Sequence, residues 1–278
     1  MTDDPFAALL ELPGVPEAVG RARAAVDGLL QHRVLRRRSA EVTAESALRG
    51  ARASAELEGA GIELERLRGQ LLAGGTITLP SKDERGGLVA EGAVRLHAEL
   101  GSVLPAWKRS PRQALARLHV LAAGELMAAD DLGRPRAGSA YEDPLDLGPA
   151  PQPVEVAARV DGLSRLLTSP TTAPAVVVAA VVHGELLALR TFGSLDGLVA
   201  RAAARLVLVD RGLDPKAVSA PEVGHSELHH EYEQAARSYV HDGPAGVARW
   251  IDHCASAVAL GAREGLAVCE AIARTAAS

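Results

Sequence analysis

Apolar residues recur at helical spacing along nearly the whole of this chain, and no segment alternates long enough to demand a sheet. That pattern assigns the chain to the all-α class, with room for one small hairpin. Start and stop signals divide it. Pro16 to about Leu35 reads as a first helix ending in the basic run Arg36-Arg37-Arg38. Ser39 caps a second, with Val42, Ala47, Leu48 and Leu57 at its apolar positions, and Gly59-Ala60-Gly61 stops it. Ile62 to Leu72 is a further helical segment, and the Gly/Thr-rich stretch Ala73 to Pro80 is a loop or one short strand. Leu88 to Leu104 reads as one helix, and Ser110-Pro111 starts another that runs to about Met127. From Asp130 to Pro153 the chain carries Pro135, Pro144, Pro149, Pro151 and Pro153 among several glycines, which marks a long loop able to hold a hairpin. Helical patterns resume at Val154–Leu167, Pro174–Leu189 and Asp196–Arg211, the last stopped by Gly212 with Pro215 beyond. Ser226–Val240 and Pro244 to about Ala273 close the chain.

The 278 residues suffice for one large domain or two modest ones. A net charge of -5 argues against bulk nucleic-acid binding. Arg far outnumbers Lys, as in the proteins of GC-rich bacterial genomes. The two cysteines, Cys254 and Cys269, make neither a disulfide framework nor a zinc site, and read as small core residues of a protein in a reducing cytoplasm. Met1-Thr2-Asp3-Asp4 is acidic and lacks signal-peptide form. The most apolar run, Val176–Val182, is too short to span a bilayer and reads as a core helix. His225 and His229 are one helical turn apart, as metal ligands can be, but with His230 they read better as a surface cluster, His225 at a helix start; no metal site is assigned. His183, on an apolar helix, reads as a core histidine. Arg134 and Arg136 in the long loop contact a partner or keep the loop soluble.

One segment carries more specific information. His183 to Pro215 reads HGELLALRTFGSLDGLVARAAARLVLVDRGLDP, and it resembles the signature region of the Fic/Doc family, where a helix, a loop and a second helix carry HxFx(D/E)GNGRxxR. Arg190 falls where the histidine belongs and Phe192 matches the phenylalanine. Ser194 takes the acidic position, Leu195 the first glycine and Asp196 the asparagine. Gly197 matches the second glycine, Leu198 replaces the first arginine, and Arg201 matches the last. Upstream, Ser54-Ala55-Glu56-Leu57-Glu58-Gly59 fits the (S/T)xxxE(G/N) inhibitory motif of members with an N-terminal autoinhibitory helix. Leu118-His119 followed by Gly133-Arg134-Pro135-Arg136 resembles the helix and turn leading into the family's target-docking flap, and Tyr232, Trp250 and Ile251 resemble its tail. The likeness covers about residues 40 to 265.

The resemblance implies a Fic-fold helical bundle with a small β-hairpin flap, divided into an N-terminal helical region, 1–85, with the inhibitory-type helix at about 39–58, and a Fic-like helical domain, 86–278. It implies ATP with Mg as cofactor, transfer of AMP to a protein hydroxyl, a protein target docked at loop 130–153, and a homodimer. The residues it places at the cofactor are Phe192, Ser194, Asp196, Gly197 and Arg201, with Ser54, Glu58 and Gly59 as the inhibitory set. The loop departs from that chemistry. The family's histidine accepts a proton from the attacking hydroxyl, and a guanidinium at Arg190 stays protonated and offers only donors. Ser194 is a poor ligand for Mg, which takes hard anionic oxygen. Leu198 cannot bind phosphate. Asp196, at the start of its helix, reads as a cap before it reads as a ligand. Glu58 and Arg201 both remain and read as an ion pair.

Three readings of function follow: a pseudoenzyme that retains the scaffold and a nucleotide or phosphate site; a transferase with a remodelled donor site built on Arg190, Asp196 and Arg201, moving AMP, a phosphoryl or a glycosyl group; and a non-catalytic interaction module. A cleft filled by Phe192, Leu195 and Leu198, with no ATP-sized cavity beside Arg201, favours the last.

Overall fold

In a computed structural model that describes residues 4–74, 77–79 and 83–275, the chain is all-α. Among the described residues there are twelve α-helices and no strand. They are α1 (Val15–Leu30), α2 (Ser39–Leu57), α3 (Leu64–Ala73), α4 (Glu84–Ala98), α5 (Leu100–Arg109), α6 (Pro111–Ala123), α7 (Pro153–Thr168), α8 (Ala175–Leu189), α9 (Asp196–Asp210), α10 (Pro221–Glu227), α11 (His229–His241) and α12 (Gly243–Thr275). None is long and apolar enough to cross a membrane.

Several boundaries differ from those read in the sequence. The first helix stops at Leu30, and Arg33–Arg36 is a separate 3-10 turn, started by the His32 ring accepting the Val34 N–H at 3.3 Å. Leu88–Leu104 is two helices, because the chain bends at Glu99 and Ser102 Oγ donates to the Glu99 carbonyl at 2.8 Å to begin the second. Ser226–Val240 is also divided: Pro221 opens α10 from the first helical position, and Leu228 turns the chain before α11. Left-handed Gly74 ends α3; residues 77–79 form no strand, and Gly75, Thr76 and Pro80, like Met1–Asp3, lie outside the described residues.

The chain gathers into two compact units that are not consecutive in sequence. The first takes the described residues within Met1–Gly50, Thr171–Val181 and Val207–Ser278. Its centre is α12, which packs against α1, α10 and α11. Val15, Ala18, Ala22, Val26 and Leu29 form the buried stripe of α1, at the three-and-four spacing a helix needs to present one face. Tyr232, Trp250, His225 and His253 form a buried ring cluster, and Trp250 Nε1 donates to the Ala180 carbonyl at 2.7 Å. His225 therefore sits inside α10 with its Nδ1 3.0 Å from His253 Nε2, whereas His229 and His230 are exposed on α11. The three do not form one surface cluster. Cys254 and Cys269 are buried and free, and burial pushes both thiols above their ordinary range.

The second unit takes Ala51–Pro170 and Val182–Leu206. Here α6 packs against α4, α5 and α7. The α4–α6 crossing is close because residue 92 is glycine: a Cβ there would stand 2.0 Å from the Ala122 carbonyl oxygen. This unit holds the end of α2, the long loop from Gly124 to Gln152, and the segment Val182–Leu206, the end of α8, the turn and most of α9, that carries the signature.

Candidate functional site

The turn between α8 and α9 is built from residues that leave the common backbone regions. Arg190, Gly193 and Leu195 have φ of 44°, 79° and 54°. Non-glycine residues there are strained and persist only where their surroundings hold them. Three clasps do so.

The first is Asp196. Its Oδ1 accepts the Phe192 N–H at 2.9 Å and its Oδ2 the Gly193 N–H at 2.8 Å. The carboxylate thus reaches back across its own turn rather than capping α9 ahead of it. Burial pushes its pKa up to about 7, opposed by these two N–H groups, with the Glu58 charge adding to the rise and Arg136 opposing it. The second is His119 on α6. Its ring stacks on Phe192, centroids 4.2 Å apart and planes 8° from parallel, and its Nδ1 accepts the Gly133 N–H at 3.0 Å. Burial lowers its pKa to about 4, against the pull of the Ser194 carbonyl, so the ring is neutral and the proton is on Nε2.

The third clasp is the 134–151 flap itself. No strand forms there, contrary to the hairpin expected: Pro144, Pro149 and Pro151 have no N–H to give a ladder, Asp146 and Gly148 are left-handed, and the Asp143 carboxylate winds the chain into a turn by accepting from Leu147 N and Gly148 N, both at 3.0 Å. Two main-chain bonds nevertheless join flap to turn, Arg136 N–H to the Thr191 carbonyl at 2.9 Å and Glu142 N–H to the Gly193 carbonyl at 2.8 Å. Arg136 is neither a free solubilising charge nor aimed outward. Its Nε donates to the Arg190 carbonyl at 3.0 Å, and its other nitrogens to the carbonyls of Gly138 and Pro151. Arg134 is exposed.

Arg190 is 3% exposed. Its guanidinium donates to the Ala188 carbonyl at 3.1 Å and to the Gly148 carbonyl, stands 5.1 Å from the Tyr141 ring centroid, and has Asp143 at 3.8 Å. Arg201, on α9, is equally buried but differently partnered. Its Nε donates to Ser54 Oγ at 2.8 Å, and its Nη2 to the Ser54 carbonyl at 3.1 Å and to Glu58 Oε1 at 2.7 Å. The Glu58 carboxylate lies across Gly197: a Cβ at 197 would meet Glu58 Oε1 at 2.1 Å. Left-handed Gly59, φ 79°, turns the chain away at the end of α2.

The structure thus brings Ser54, Glu58, Gly197 and Arg201 together, and places Arg190, Phe192 and Asp196 on the adjoining turn. Leu57, Glu58, Asp143, Ser194, Asp196 and Arg201 are among the residues lining a cavity of only about 30 Å³, where one water takes roughly 10–15 Å³. Phe192, Leu195 and Leu198 are all buried. Mg-ATP does not fit the residues as they stand. Arg201 is engaged by Glu58 and Ser54, Leu198 offers no charge, and both Asp196 oxygens are taken by main-chain N–H groups. Sequence reading missed the roles of His119, Arg136 and Tyr141. Only the nearness of His119 to the Gly133–Arg136 turn gave any signal.

No protein-family model matches the sequence, and no curated protein does. Solved structures do match. A Fic family protein from Desulfovibrio desulfuricans is similar at a TM-score of 0.71 and 19% identity, over 90% of this chain and 74% of that one. A fragment of Fic-1 from C. elegans is similar at 0.70 and 17%, over 92% and 73%. A Fic domain containing signaling protein from Bacteroides thetaiotaomicron is similar at 0.65 and 12%, over 91% and 98%. At these identities the likeness speaks for architecture, and by architecture the chain has the Fic fold.

Proposed function

We propose that this is a non-catalytic Fic-fold protein that acts by binding a protein partner, with the exposed side of the 130–153 segment as the contacting face. The observation that carries the reading is Arg190. A general base must accept a proton, and the group at this position is a buried guanidinium spent on two main-chain carbonyls. The small cavity and the buried Phe192, Leu195 and Leu198 support the same reading, since a filled cleft leaves no bed for a nucleotide. Exposed Asp130, Asp131, Arg134 and Ala137–Ala140 on the segment leave a surface for contact.

A second reading has one observation of its own. Glu58 lies across Gly197 and holds Arg201, so removing that carboxylate both takes away the acid partner of a buried cation and enlarges the cavity. On this reading the protein binds a nucleotide only when α2 releases.

Calorimetry with Mg-ATP on wild type and Glu58→Gly, alongside transfer of label from α-labelled ATP into protein, separates the two. The non-catalytic reading expects no label transfer by either protein and no heat of binding with wild type. Binding by Glu58→Gly alone would move the conclusion to the gated nucleotide site. Label transfer by either protein would end the non-catalytic reading and favour a remodelled transferase.

A further inference from the structure

Arg190 does more in this structure than fail to be a base. It stands in the left-handed region at φ 44°, at the end of α8, where glycine is the ordinary occupant. Its strained backbone is retained together with a side chain that reaches out of the turn. The guanidinium donates to Gly148, in the returning arm of the flap, while its own carbonyl accepts from Arg136 Nε, in the outgoing arm. Tyr141, near the tip, has both cations beside it: Arg136 Cζ is 5.3 Å and Arg190 Cζ 5.1 Å from the ring centroid. The arms are closed on each other by Ala150 N–H to Tyr141 Oη at 3.0 Å and by Arg136 to the Pro151 carbonyl. A single residue of the turn therefore touches both arms and the ring between them.

We propose that Arg190 is a latch that holds the 134–151 flap closed over the α8–α9 turn. The chemistry favours arginine for this. A planar fork with five donors can serve carbonyls in different directions and still lie against an aromatic ring, which an ammonium cannot do. Closure matters because Glu142, Asp143, Pro144, Leu145 and Leu147 of the flap wall the cavity that Glu58 and Arg201 also line. With the latch made, the cavity holds a few waters. With it broken, the wall is free to leave, and a surface otherwise turned inward becomes available to a partner. The inference rests on the non-catalytic reading in one respect, that Arg190 has no duty at a reacting atom.

The test is hydrogen exchange of the full chain read by mass spectrometry. Arg190→Gly removes the side chain and suits the left-handed backbone, so the turn itself is kept. It should speed exchange in peptides covering 136–151 by roughly tenfold, the equivalent of about one net hydrogen bond. Peptides from α12 should exchange as in wild type. Arg190→Lys should speed the same flap peptides, because charge alone does not replace the fork. Unchanged flap exchange in Arg190→Gly would overturn the latch, and so would a wild-type flap that exchanges like an unstructured segment. Should Arg190→Gly loosen the whole protein, Arg190→Lys decides: the latch requires faster flap exchange with α12 unaffected, and no change would refute it. Label transfer from ATP is a separate readout, so failure of the non-catalytic reading and failure of the latch are told apart.

Discussion

The two arginines of the signature segment are buried to the same degree and held in opposite ways. Arg201 has a side-chain acid of its own: Glu58 at 2.7 Å, with Ser54 accepting from the same guanidinium through its hydroxyl oxygen and its carbonyl. Arg190 has main-chain carbonyls, an aromatic ring, and a carboxylate only at 3.8 Å that is already occupied with Leu147 and Gly148 N–H groups. One is a matched ion pair and the other a cation absorbed by dipoles. A buried charge survives by either route, but the first makes two residues depend on each other, while the second fastens one residue to a loop's shape.

The harshest way to probe this difference is to add a third arginine at a position where the chain buries a leucine. Leu198 is fully buried on α9, at the position where the signature carries its first arginine. Leu198→Arg should cost several kcal/mol, roughly 4 or more, because it puts a longer, charged side chain where a leucine is fully buried. Urea unfolding of the purified variant measures it. A variant as stable as wild type would mean that this helix face tolerates cations generally, and the contrast between the two native arginines would lose its meaning.

A double-mutant cycle sharpens the contrast next. Glu58→Gln and Arg201→Gln, singly and together, should show a coupling of about 3 kcal/mol, the range expected when one member of a buried pair is stranded. The matching cycle on Asp143→Asn and Arg190→Gln should give under about 1 kcal/mol, since Asp143 is 3.8 Å away and its side chain is 21% exposed. Equal couplings would make Arg190 an ion pair in its own right.

The same distinction explains what could be read in the sequence. The Ser54–Glu58 spacing and Arg201 are side-chain features, and they advertise themselves at fixed positions. The all-α class and most helix spans were legible for the same reason: periodicity and start and stop signals are local, as in the helix starts at Ser39 and Pro111 and the stop before Gly212. Arg190's partners were not legible. A carbonyl at Gly148 or Ala188 has no residue type to mark it, and Gly148 is distant in the chain. Asp196 looked like a cap because aspartate before a helix usually is one; only the folded turn shows its oxygens facing the N–H groups of Phe192 and Gly193. His225 looked exposed for want of a signal that His253 would meet it. The breaks at Glu99 and Leu228 fall where no strong stop signal stands.

Proton linkage offers a smaller test, one that separates the clasps of the Arg190 turn. Asp196 has a folded pKa raised from 3.8 to about 7, so its contribution is full below 3.8 and is lost as pH rises through 7. His119 has a folded pKa lowered from 6.5 to about 4, so its contribution is present above 6.5 and is lost as pH falls through 4. His253, in the other unit, is lowered to about 4 and carries the same sign as His119. Between pH 4 and 6.5 the aspartate and the histidines therefore tilt stability in opposite directions. Asp196→Asn should gain on wild type as pH rises from 4 to 7, whatever its stability at any one pH, and His119→Gln should gain on wild type as pH falls across that window. Denaturation curves at several pH values read the slope. Parallel slopes for Asp196→Asn and wild type would show that Asp196 is ionised throughout, and that its two N–H partners outweigh its burial.

The smallest effect lies at Tyr141, where the support given to Arg190 can be divided into parts. Tyr141→Phe keeps the ring beside both cations and removes only the oxygen that accepts the Ala150 N–H. It should cost about 0.5–1.5 kcal/mol, the net value of one hydrogen bond. Tyr141→Leu also removes the ring's negative face and should cost about 0.5–1 kcal/mol more. That increment should vanish when Arg190 is glutamine and Arg136 is alanine, because no cation is then left for the ring to attract. An increment that persists without the cations would assign the ring's contribution to packing, and the dipoles of Ala188 and Gly148 would then be carrying the Arg190 charge without it.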